Sequence, residues 1–137
     1  MTTGERPQTQ RAERLRLPAV PASVRHARVW AAAEAAARGL GADALDSLRL
    51  AMSEAVANAV MHAYPGGDGA VHLSFACESG VLRFMVDDHG CGRAAAVSST
   101  AGAGLGTSLM RALCDEFHVL DRVPGTRVVL GFALPGG

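Results

Sequence analysis

The strongest constraint on how this chain folds is a hairpin signature near its middle. In Val71-His72-Leu73-Ser74-Phe75-Ala76-Cys77 apolar residues alternate with less apolar ones, Ser79-Gly80 supplies turn chemistry, and residues 81–86 run back to pair with the first strand. Alternation of this kind buries one face of a strand, so the rest of the chain must supply the cover. Two helical stretches precede the hairpin. Residues 21–38 are alanine-rich, carry Ser23 near the start as a candidate cap, and stop at Gly39 and Gly41. Residues 43–64 open on Asp43 as N-cap and end at Pro65-Gly66-Gly67, with Leu45, Leu48, Met52, Ala55, Val56, Ala59 and Ala63 on one face. Residues 105–117 read as a third helix, with Leu105, Leu109, Ala112 and Leu113 spaced for burial. Leu15-Arg16-Leu17, residues 119–121 and the alternating run Thr126, Val128, Leu130, Phe132, Leu134 read as further strands, the last following a Pro124-Gly125 turn. Strands joined by hairpins, with helices grouped before and among them, predict an α+β sandwich: a mixed sheet covered on one face by helices.

The chain has 137 residues, of which 49% are hydrophobic, enough for one domain with its own core. Residues 1–14 are polar and read as a disordered tail, leaving residues 15–135 as that domain. Thirteen acidic residues balance thirteen basic ones, so no overall field recruits nucleic acid or an anionic membrane. All the basic residues are arginine, which excludes a Walker A loop with its lysine and any Schiff-base chemistry. Cys77, Cys91 and Cys114 lack CxxC spacing, and the start lacks the apolar core of a signal peptide, so a reducing cytoplasm is expected. His26, His62, His72, His89 and His118 are scattered without metal-ligand spacing, and Trp30 and Tyr64 stand as single aromatics.

Three short motifs carry chemistry. Glu54 and Asn58 stand four apart on the second helix, opposite its apolar stripe. Asp88-x-Gly90-x-Gly92 follows the second hairpin strand, so a carboxylate sits at a strand end beside backbone that a flat ligand can approach; it can accept a hydrogen bond from an exocyclic amine such as that of adenine. Gly102-Ala103-Gly104-Leu105-Gly106-Thr107 opens a helix, where free N–H groups and the helix dipole favour phosphate. Singly, each has a plainer reading: a solvated helix face, a tight turn, a flexible loop. A Rossmann fingerprint is excluded by spacing and position, and a kinase glycine loop by the missing strand lysine.

In this order the motifs are far more specific than any one of them. The chain resembles the GHKL ATPase superfamily, and most closely its small anti-sigma-factor serine kinases of the RsbW and SpoIIAB type, over about residues 15–134. Ser53-Glu54-Ala55-Val56-Ala57-Asn58-Ala59 matches the N box, Asp88-His89-Gly90-Cys91-Gly92 the first glycine box, Gly104-Leu105-Gly106-Thr107 the second, and Gly125-Thr126 the closing motif. Pro21-Ala22-Ser23-Val24 and Ala27-Arg28 resemble the first helix, with Arg28 in the place of a partner-contacting arginine.

The resemblance implies a two-layer sandwich of the Bergerat, histidine-kinase-like type, with a mainly antiparallel sheet and an ATP site between helices and sheet. It implies that Asp88 reads adenine with Thr126 completing the contact, that Asn58 ligates Mg²⁺, and that Glu54 is the general base. Gly90, Gly92, Gly102, Gly104, Leu105, Gly106 and Thr107 would line the nucleotide, with backbone N–H groups around residues 104–107 holding the phosphates. The implied activity is serine/threonine-protein kinase action on a STAS-type antagonist. The implied partners are that antagonist or a sigma factor, and homodimerisation through the sheet is open to the chain. Only Arg93 to Ala101 separates the glycine boxes, shorter than family lids, so the alternative expectation is a nucleotide-dependent module that sequesters a regulator with little or no turnover.

Overall fold

The computed structural model describes residues 10–11, 14–63, 69–90, 102–122 and 124–136, giving the backbone alone for 10–11, 62–63 and 102–106. Among these residues six strands and three α-helices follow in the order β1 (Gln10–Arg11), β2 (Leu15–Pro18), α1 (Ala22–Ala37), α2 (Ala42–Asn58), β3 (Ala70–Glu78), β4 (Val81–Asp88), α3 (Gly102–Leu113), β5 (Glu116–Asp121) and β6 (Thr126–Ala133). β1 and β2 lie along one edge of β3, and the sheet continues β3-β4-β6-β5, with every described pairing antiparallel. The last strand therefore sits inside the sheet, between β4 and β5.

The hairpin forms as its pattern predicts. Ser79 (φ 54°) and Gly80 (φ 78°) both adopt left-handed backbone, the two-residue turn whose twist matches the flanking strands, and Glu78 pairs with Val81. Leu73, Phe75, Leu82, Phe84, Val86, Leu130 and Phe132 are buried on the helix-covered face. Trp30 of α1 reaches this layer, its ring centroid 5.8 Å from Phe75 and 5.9 Å from Phe84. The lone tryptophan thus belongs to the core. Ala27, Ala31 and Ala35 form a fully buried stripe at helical spacing, and side chains this small let α1 approach α2 closely. α2 is the central helix, packing on α1, α3 and β6.

Several boundaries differ from the expectations. Gln10 and Arg11 pair with Cys77 and Ala76, so the sheet edge begins inside the stretch read as a tail. Ser23 makes no capping bond; its Oγ donates to the Pro18 carbonyl at 2.6 Å and ties α1 to the end of β2. α2 starts at Ala42 behind Gly41, whose extended backbone is the cap, while Asp43 sits in the first turn where its charge meets the helix dipole. Regular α-helix stops at Asn58, and Ala59–Ala63 form a π turn; residues 64–68, including Pro65-Gly66-Gly67, lie outside the described set.

α3 both starts and ends earlier than its periodicity predicts. Asp115 N–H donates to the Gly131 carbonyl at 2.9 Å, and Asp115 Oδ2 accepts from Ala133 N–H at 2.8 Å, which draws the chain into the sheet. Phe117 is consequently a buried residue of β5, not of the helix. Among the described side chains of α3, Met110 is buried and Leu113 packs against the core as its spacing predicts, whereas Leu109 and Ala112 are exposed.

Candidate functional site

The ends of β4 and β6 build the centre of the site. Asp88, the last residue of β4, faces Thr126, the first of β6, and each is only 8% exposed. Gly125 explains why the two can meet. It turns at φ 105°, and a Cβ there would overlap the Asp88 carbonyl oxygen and lie 2.7 Å from the Asp88 carbonyl carbon and 2.8 Å from the His89 Cα. Only glycine satisfies both the backbone angle and the contact. The motif match at Gly125-Thr126 therefore has a steric cause, and Gly125 belongs among the site-forming residues although the motif roles had not included it.

Asp88 Oδ1 accepts from the Gly90 N–H at 3.0 Å. Burial pushes the Asp88 carboxyl up, and the N–H groups of Gly90 and Thr126 pull it only part of the way back. Among the described residues no cation is paired with it. A buried carboxylate held by neutral donors retains acceptor capacity for a neutral N–H donor, which is what an exocyclic amine offers.

Glu54 and Asn58 lie on α2, both half-buried, with Asn58 at the junction of α-helix and π turn. Single π turns in helices are frequent at functional sites. α2 packs against α3, so the glycine segment and the Glu54/Asn58 helix are neighbours. The glycine segment itself differs from expectation. Gly102, Gly104, Leu105, Gly106 and Thr107 all lie inside α3, and Thr107 is half-buried. The amides free of intrahelical acceptors are then those of Gly102, Ala103 and Gly104, while those of Gly106 and Thr107 are committed to helix bonds. Gly92, Cys91 and the short lid 93–101 lie outside the described residues.

Arg28 is half-buried on α1, and its Nη1 donates to Ser53 Oγ at 3.3 Å; Ser53 Oγ in turn donates to the Arg49 carbonyl at 2.8 Å. The predicted partner-facing arginine thus touches the residue next to Glu54. Sequence reasoning missed Asp87, which is buried on the other side of the sheet. Its carboxylate takes a two-pronged contact from Arg127, Nε at 2.7 Å and Nη2 at 2.8 Å, with Arg122 Nη1 at 3.4 Å. The available signal was the pair Asp87-Asp88 itself, since neighbouring strand residues point to opposite faces. No described helix is long and apolar enough to cross a membrane.

The chain is similar to several known proteins. Serine-protein kinase RsbW of Bacillus pumilus is 32% identical over 122 aligned residues, covering 77% of this chain and 75% of that protein. Anti-sigma F factor of a Geobacillus strain is 32% identical over 116 residues, covering 76% and 80% respectively. A crystal structure of the RsbU and RsbW domains of Rv1364c from Mycobacterium tuberculosis superposes with a TM-score of 0.72 over 90% of this chain, at 24% identity and over 32% of that longer chain, a likeness of fold. The histidine kinase-like ATPase domain matches residues 17–132, nearly the whole described chain, and the protein belongs to that family.

Proposed function

We propose that this chain is an ATP- and Mg²⁺-dependent serine/threonine-protein kinase of an anti-sigma regulatory pair, which binds a sigma factor and phosphorylates a STAS-type antagonist in the bacterial cytoplasm. The observation that carries the reading is the buried Asp88·Thr126 rung with Gly125 pressed against it, in a chain whose relatives are named serine-protein kinase and anti-sigma factor. The donor set fits the nucleotide: a buried carboxylate with neutral hydrogen-bond donors, a strand-end contact that only glycine allows, and free amides at a helix start. When bound, ATP with Mg²⁺ would supply the transferable phosphoryl group and the charge neutralisation that phosphoryl transfer requires.

The chain's own residues divide the remaining work. Asp88 accepts from the adenine amine and Thr126 supports that contact through its hydroxyl. Asn58 offers its amide oxygen as the one protein ligand to Mg²⁺. Amides at the start of α3 orient the phosphates, aided by the dipole, in a protein without lysine. Glu54, one turn before Asn58, takes the proton of the incoming serine or threonine hydroxyl. Arg28 lies on the surface that grips the partner. Labelled ATP and the cognate antagonist test this: Glu54→Ala should lose transfer and keep nucleotide binding, and unchanged transfer would remove Glu54 as base.

The start of α3 at Gly102 favours one second reading, because fewer free amides face the phosphates than the glycine box implies. In that reading nucleotide is a structural ligand of a sequestering module. Mg²⁺-dependent transfer to the antagonist eliminates it.

A further inference from the structure

On the face of the sheet turned away from the helices, basic side chains outnumber acidic ones around one cleft. Arg14, His72, His89, Arg122 and Arg127 line a cleft of about 270 Å³ together with a single carboxylate, Asp87. Asp87 neutralises one charge: it is taken bidentately by Arg127 and approached by Arg122 at 3.4 Å. Arg14 is exposed at the rim, and Arg16, which pairs with His72 across β2 and β3, adds a further charge on the same face. The His72 and His89 rings meet edge to face with centroids 5.2 Å apart and form one wall.

We propose that this cleft is a second binding site, separate from the nucleotide site, which takes a phosphate group, as free phosphate or as a phosphate monoester. The reasoning is geometric and electrostatic. Guanidinium groups converging on a polar hollow match tetrahedral oxyanions, which accept paired N–H donors, and a partly enclosed wall raises the strength of each contact. An anion also relieves the repulsion among the lining groups. Burial first, then the charges of His89 and Arg16 and a smaller share from Arg14, hold His72 below its ordinary value, with Asp87 opposing them. The inference does not rest on the kinase reading, because Asp87 and Asp88 are successive residues of β4 and point to opposite faces.

The test follows the His72 and His89 ring resonances by NMR during titration with sulfate, inorganic phosphate and phosphoserine at constant ionic strength. Sulfate keeps its charge across the histidine range, so its binding should strengthen as pH falls through the His72 titration, and bound sulfate should raise that titration midpoint. Saturable shifts are expected for sulfate and phosphate, weakened roughly tenfold in Arg122→Gln or Arg14→Gln, the loss of one charge-assisted contact. They should persist in Asp88→Asn, whose side chain lies on the opposite face of the sheet. Tighter binding of phosphoserine identifies a phosphorylated side chain as the source, and tighter binding of inorganic phosphate identifies the free ion; either supports the site. Shifts that chloride reproduces, that both arginine variants retain, that depend on protein concentration, or that appear only with a phosphate-free acidic peptide overturn it.

Discussion

Two adjacent rungs of the same strand pair, Asp88·Thr126 and Asp87·Arg127, have opposite electrostatic designs. On the helix side, among the described residues, a buried carboxylate accepts from backbone N–H groups and is pushed by burial toward its neutral form. On the open side a carboxylate one residue earlier is matched by two guanidinium groups. The first is left with binding capacity at a cost in folding stability, and the second spends its capacity within the protein. A strand's alternation lets one dipeptide serve both ends, because consecutive side chains never share an environment.

This contrast can be broken by substitution. The largest effect is expected for Gly125→Ala, where the backbone angle and the contact with Asp88 both forbid a Cβ; stability should fall by about 3 kcal/mol or more, read as the urea midpoint, with nucleotide binding lost alongside. Asp88→Asn should weaken nucleotide binding by roughly 10- to 100-fold in calorimetry, without lowering the stability of the nucleotide-free protein. If stability fell as well, Asp88 would be structural. Asp87→Ala should do the reverse, costing about 1–2 kcal/mol of stability, at the low end because Arg127 is partly solvated, while nucleotide affinity stays within a few-fold. Parallel losses of affinity in both variants would mean the two faces act as one unit.

The smallest effect is on pH dependence. A carboxyl raised in the folded state favours folding in its protonated form, so the Asp88 contribution is full in acid below the ordinary aspartate range and is lost as pH rises through the folded value. The difference in unfolding free energy between wild type and Asp88→Asn should therefore grow in favour of the variant as pH increases from acid toward neutrality. A flat difference would show that the Gly90 and Thr126 N–H groups fully offset burial.

The hairpin was legible because its evidence is local: alternation names the buried face, and Ser79-Gly80 supplies the left-handed turn. The motif order was legible because each motif sits at an element boundary, where side-chain chemistry and backbone geometry are coupled. Asp87 escaped notice because its partners come from a strand whose neighbour is fixed by topology, and nothing local says that β6 enters between β4 and β5. The π turn after Asn58 likewise has no composition of its own; Ala59 and its neighbours continue the helical pattern. The early start of α3 at Gly102 runs against glycine's poor helix propensity, which favoured a start at Leu105. Met110 was not among the positions read as buried; the packing of α3 on α2 brings it into the core.

The interior position of β6 has a consequence for timing. During synthesis β3 and β4 can pair as soon as they emerge, yet the Asp88 carboxylate has no Thr126 opposite it until the final strand pairs with β4 and brings β5 onto the sheet with it. Non-local pairing of this kind closes late. A nascent or C-terminally clipped chain lacking residues 126–133 would thus hold all three motifs and yet no Asp88·Thr126 rung, so completion of that rung comes as a late event of folding and can serve as its report.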